Sequence, residues 1–203
     1  MKKKFLNSCM SAIKNYYPEY DEEKLEIIEY GLEGLYLTFT KLVIIFGLSY
    51  YLGILLEVFL LTLSYNTIRF TAFGLHATKS IYCLISSLTM FVGGTLIVLN
   101  VTIPFIIKII IAIICVYFIF KYAPADTEKR PIVSPKRRKI YKTISTITGI
   151  IFTILIIVFD KYILSNYLLI GMIEAVIMIH PTVYKIFKLP YDNYKNYNIG
   201  LSN

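Results

Sequence analysis

From Tyr82 to Ile107 the chain carries no Asp, Glu, Lys or Arg. Such a run is long enough to cross a bilayer and turn back, since a hydrocarbon core of roughly 30 Å takes about 20 apolar residues as a helix. The rest of the chain agrees: 57% of its 203 residues are hydrophobic and mean hydropathy is +0.65. Apolar runs at this density argue for an integral membrane protein rather than a soluble domain.

The pattern predicts an all-α membrane protein of one domain, with six transmembrane helices arranged as three hairpins. Spans 35–51 and 54–70 flank Gly53. Spans 81–99 and 103–120 flank "NVTIP", and spans 143–159 and 162–180 flank "DK". The second span is the most polar, carrying Glu57, Asn66 and Arg69.

Charge sets the orientation. Residues 121–142, "KYAPADTEKRPIVSPKRRKIYK", hold eight Lys/Arg against two acids. Lys2, Lys3 and Lys4 add to one terminus, and Lys185, Lys188 and Lys195 to the tail of residues 181–203. The other hairpin ends offer little beyond Lys161 and Lys108. The positive-inside rule then places both termini and the basic loop in the cytoplasm, with the link between spans two and three on the same side. In such a protein the net charge of +8 reports orientation first and a polyanionic partner or anionic lipid second, with no call for nucleic acid.

Residues 1–33 form a cytoplasmic amphipathic segment. The start lacks the clean apolar stretch of a secretory signal and is expected to be retained. A basic surface helix over 4–16 is separated by Pro18 from an acidic stretch, 19–33, with seven acids. Its Leu25, Ile28 and Leu32 continue to Leu35 at helical spacing into the first span. Cys9, Cys83 and Cys115 are widely spaced, with no CxxC pair, which argues against a disulfide framework or structural zinc. No metal or cofactor is expected.

The stretch "RFTAFGLHATKSIYC", residues 69–83, holds one of two histidines and one of three cysteines. A thiol becomes a strong nucleophile as a thiolate, and an imidazole can take its proton. His76 and Cys83 would stand about 10.5 Å apart along a continuous helix at 1.5 Å per residue, too far for proton transfer. A reacting pair therefore requires a bend, which Gly74 permits, with Cys83 in the first turns of span three. There the helix N-terminus offers unpaired N–H groups, and Arg69 adds positive potential.

The same stretch resembles the signature of the accessory gene regulator protein B (AgrB) family: Arg, three residues, a Gly-Gly pair, any residue, His-Ala, and Cys seven after the His. Arg69, Gly74, His76, Ala77 and Cys83 match in place, while Phe73 stands where the first glycine would be. "KYAPADTEKRPI", residues 121–132, is similar to a second family motif. The resemblance implies a membrane cysteine endopeptidase of Gram-positive quorum sensing. Its substrate would be an AgrD-type propeptide with an amphipathic helix, a central Cys or Ser and an acidic tail. Carried over, Cys83 attacks the peptide bond before that tail and His76 is the base. The acyl-enzyme thioester then closes to a thiolactone or lactone, and the enzyme is open to acting as a homodimer.

Other residues are supporting candidates. Lys129 and Arg130, with Lys136, Arg137, Arg138 and Lys139, suit an acidic peptide tail, or serve topology alone. Asp126 is a candidate to orient His76, or a turn residue in "PADT". Glu174, an acid within span six, is expected to pair with Arg69 or line a peptide groove. His180 is expected to cap span six, and the tail's "YDNYKNYN" to be an exposed interfacial segment. Two rival readings are a small peptide transporter or export channel, for which mid-membrane polar residues are sparse, and a lipid-modifying enzyme, for which an acid or histidine cluster is lacking.

Overall fold

A computed structural model describes residues 2–75, 80–127 and 131–195. The elements are helices: α1 (Lys2–Tyr16), α2 (Glu22–Tyr51), α3 (Leu55–Ala72), α4 (Ser80–Leu88), a π segment (Thr89–Gly93), α5 (Gly94–Asn100), α6 (Phe105–Tyr122), α7 (Pro135–Val158), α8 (Leu164–Ile179) and α9 (Pro181–Ile186). Among the described residues the one extended pairing of note is an isolated parallel bridge, Phe73 to Ala125.

Two compact units emerge, residues 1–48 and 49–203. In the first, Pro18 breaks the chain between α1 and α2 as its missing N–H demands, and Asp21 Oδ1 accepts the Lys24 N–H at 2.8 Å to cap α2. Lys2 pairs with Glu33, and the Phe5 and Tyr36 rings meet at 5.3 Å. The acidic stretch and the first span form one continuous helix.

In the second unit, α3 packs most extensively on α8, and α7 contacts both. Among the described residues, four helical segments are long and apolar enough to cross a membrane: Glu22–Tyr51, Ile81–Asn100, Phe105–Tyr122 and Pro135–Val158. Six spans were expected. The remaining two, α3 and α8, are helices at the expected places, but α3 is diluted by Glu57, Asn66 and Arg69 and α8 has only 16 residues. Most of α8 and much of α3 are buried by protein, which shelters Ser165 and Glu174 on α8 and Thr62, Ser64 and Thr71 on α3, while Asn66 is exposed and Glu57 and Arg69 are half-buried; α6 and α7 expose isoleucines along most of their length. The expected hairpins also repack: α6 lies chiefly against α7 and α8, while α5 and the π segment lie against α3, and α5 also meets α8.

Close approach between α3 and α8 depends on Gly171. A Cβ there would stand 2.8 Å from Ser64 Cβ and 2.9 Å from the Tyr65 nitrogen. Backbones this near are how helices gain van der Waals contact where lipid gives no hydrophobic advantage. Beyond α7, Lys108, 5% exposed, donates to Asp160 Oδ1 and Ser165 Oγ, both at 2.9 Å, tying the start of α6 to the α7–α8 turn.

Candidate active site

The helix carrying Arg69 ends at Ala72, and the reason is local. Phe73 has φ 58° and Gly74 φ +117°, both outside helical space, so the chain turns before it reaches His76. The bend expected at Gly74 is present. Arg69 secures it: its Nη2 donates to the carbonyls of Leu75 and, at 3.4 Å, of Gly74. The guanidinium reaches past its own helix end and satisfies carbonyls of the turn itself.

Three backbone bonds clamp the turn from outside. Ala125 N–H donates to Ala72 O at 2.9 Å, Gly74 N–H to Ala125 O at 2.8 Å, and Leu75 N–H to Met178 O at 2.9 Å. The two sequence motifs, some fifty residues apart, thus meet edge to edge, and the end of α8 closes the third side. Gly74 leaves no room for a side chain, because a Cβ would lie 2.7 Å from Met178 O and 3.1 Å from Arg69 Nη1.

Cys83 sits in the first turn of α4, as its expected place at a helix N-terminus requires, and is partly buried. The N-terminal end of a helix carries a partial positive charge, which favours a developing negative charge nearby. Tyr65, one turn before Arg69 on α3, lies within electrostatic reach of Arg69, Cys83 and Glu174, with the Arg69 guanidinium 5.5 Å from its ring. Sequence reading passed over Tyr65, although its i–4 spacing from Arg69 was a signal.

His76, Lys129 and Arg130 lie outside the described residues. Asp126 is buried, and its carboxylate accepts the backbone N–H groups of Ile132, Asn193 and Tyr194 at 3.0–3.2 Å, with Arg138 Nη1 at 3.4 Å. Its contacts organise backbone. Glu174 is 6% exposed and points at α5, its Oε1 lying 2.6 Å from where a Gly94 Cβ would be. Its Oε2 has no hydrogen-bond partner among the described residues, and the expected pairing with Arg69 is not among the ion pairs found there. His180 ends α8 and also caps α9, accepting the Thr182 N–H through Nδ1 at 3.3 Å. The tail departs from expectation: Tyr191, Asn193 and Tyr194 are packed against the second motif rather than lying exposed at the interface.

Comparison with known proteins gives one answer. A family model described as Accessory gene regulator B matches residues 6–179. A putative AgrB-like protein of Listeria innocua is 34% identical over 177 residues, covering 87% of each chain. One from Clostridium acetobutylicum is 30% identical over 174 residues, 85% of this chain and 83% of its own. The accessory gene regulator protein B of Staphylococcus aureus strain Newman is 34% identical over 131 residues, 64% of this chain and 69% of its own. No solved structure matches. The match over nearly the whole chain shows that it belongs to the accessory gene regulator B family.

Proposed function

We propose that this chain is a membrane cysteine endopeptidase that removes the acidic tail of an AgrD-type propeptide and passes the remaining acyl group to ring closure. Family membership implies a role in accessory gene regulator quorum sensing and association with such a propeptide. The supporting observation is the convergence of the two motifs on the turn leading from Arg69 to His76, with Cys83 at the start of the next helix.

In the proposed sequence, His76 takes the Cys83 thiol proton and the thiolate attacks the carbonyl before the acidic tail. The positive end of the α4 dipole favours the oxyanion. Collapse breaks the C–N bond, and His76 returns the proton to the leaving amine. The peptide's own thiol or hydroxyl then attacks the thioester, its proton passing through His76 back to Cys83 as the ring closes. Thioester-to-thiolactone exchange is nearly isoenergetic, so the site must exclude water and hold the internal nucleophile close. Lys129 and Arg130 hold the acidic tail, and Glu174 lines the peptide's path. All six apolar helices cross the cell membrane, with both termini and the site on the cytoplasmic side.

The test is co-expression with a candidate precursor, comparing wild type with Cys83→Ala, Cys83→Ser and His76→Ala at matched membrane levels. Loss of tail cleavage in all three is expected. Intact cleavage in Cys83→Ala would sink the reading and leave peptide export as the better one.

A further inference from the structure

Among the described residues a dense polar assembly lies where the C-terminal segment meets the second motif. Asp126 is 2% exposed, and burying a carboxylate demands donors. Two of its three backbone donors come from the tail: Asn193 N–H reaches Oδ1 at 3.1 Å and Tyr194 N–H reaches Oδ2 at 3.0 Å. The tail is shaped for this. Asp192 takes a left-handed φ of 57°, which turns the two following N–H groups toward one acceptor.

Side chains repeat the attachment. Asn193, itself 2% exposed, donates Nδ2 to Pro190 O at 3.0 Å and to Asp126 O at 3.5 Å. Tyr191 OH donates to Tyr122 O at 3.4 Å, and its ring meets the Tyr184 ring at 5.1 Å. Tyr184 OH in turn donates to Asp126 O at 3.3 Å. Arg138 ties the other side, with its guanidinium 3.5 Å from the Tyr194 ring centre and Nη2 donating to Pro124 O at 3.4 Å.

One residue earlier, Ala125 accepts the Gly74 N–H and donates to Ala72 O. The path from the tail to the catalytic turn is therefore tail amides, Asp126 carboxylate, Ala125 backbone, Gly74. Tyr194 and Lys195 begin a helical turn, so the Asp126 carboxylate also receives the open N–H groups at the start of that turn. We propose that residues 190–195 form a strap that positions the 72–75 turn, with Asp126 its buried anchor and a positioning residue for the acyl-transfer site. This rests on the peptidase reading above. Asp126 thus acts through the backbone of the 72–75 turn.

The experiment uses the full-length protein in lipid nanodiscs, with Cys9 and Cys115 replaced by alanine so that Cys83 is the one thiol. Asp126→Asn keeps the shape but sets an amide NH₂ against backbone donors. Asn193→Ala is a milder lesion that keeps the anchor. Two quantities are read: kcat and KM for tail cleavage, and the pH profile of Cys83 alkylation by iodoacetamide, which reports the thiolate fraction. Displacing the turn by about 1 Å should lower kcat by about 10- to 100-fold in Asp126→Asn, with KM little changed. Cys83 alkylation at neutral pH should slow relative to the parent protein. Asn193→Ala should move both in the same direction by less, and it decides the matter if Asp126→Asn does not accumulate. Inserted variants with wild-type kcat and wild-type profile would overturn the strap. Failure of the peptidase reading looks different: the parent protein would already alkylate as an ordinary thiol, and Cys83→Ala would still cleave.

Discussion

Gly74→Ala puts the most direct load on the proposed site. Alanine at φ +117° is held where L side chains rarely sit, a strain of about 1–3 kcal/mol. Its Cβ would stand 2.7 Å from Met178 O, and ordinary contact begins at 3.4 Å, so the turn or the end of α8 retreats by about 0.7 Å. The retreat stretches Leu75 N–H to Met178 O, now 2.9 Å, and endangers Gly74 N–H to Ala125 O at 2.8 Å. Each such bond is worth about 1 kcal/mol, which brings the expected loss to about 3–5 kcal/mol. Misplacing reacting groups by about 1 Å costs roughly 100-fold in rate. Thermal unfolding in detergent and precursor cleavage at matched protein levels measure the two effects. Gly74→Ala with wild-type Tm and cleavage would refute the clamped-turn reasoning. The paired variant is Phe73→Gly. It releases the strain of φ 58° but loses an edge contact to the Tyr141 ring at 5.0 Å, so stability should stay within about 1 kcal/mol of wild type.

Lys108→Ala leaves Asp160 without its cation at a buried junction and should cost about 1–3 kcal/mol by thermal unfolding, because Asp160 keeps partial access to solvent; the double change with Asp160→Asn should recover part of the loss. Glu174→Leu removes a buried oxygen that has no donor, so Tm should hold or rise while precursor processing falls; unchanged processing would end the case for a substrate-lining carboxyl. Burial pushes the Tyr184 and Tyr191 hydroxyls above the ordinary tyrosine range. The folded state therefore holds these protons more tightly than the unfolded chain, so their contribution is full below pH ~10 and is lost as pH rises beyond it. Melts between pH 8 and 11 should show a decline that is shallower in Tyr184→Phe; a rise in stability with pH would contradict the sign.

Much was legible in order along the chain. Apolar run lengths gave the helices, Pro18 separated α1 from α2, and the turn at Phe73–Gly74 falls where the sequence permits a bend. Hydropathy measures what each segment can tolerate alone, so α3 and α8 were read as spans like the others, although α8 is short and largely buried by its neighbours and α3 carries Glu57, Asn66 and Arg69. The tail escaped because its partners are distant in sequence and a tyrosine-rich polar segment reads equally well as interfacial surface; Tyr65 had Arg69 four residues on as a signal, while its other partners, Cys83 and Glu174, are remote.

By itself the sequence determined that the chain is helical and apolar, where it turns, and that a His–Cys pair and a basic loop occur in family order. Those are properties of neighbouring residues and of transfer between water and lipid. Only the tertiary structure decided that the two motifs pair through Ala72, Gly74 and Ala125, that Met178 closes the turn, and that Asp126 binds the tail. Backbone hydrogen bonds carry no side-chain signature, so which remote amide meets which carbonyl is fixed by packing alone.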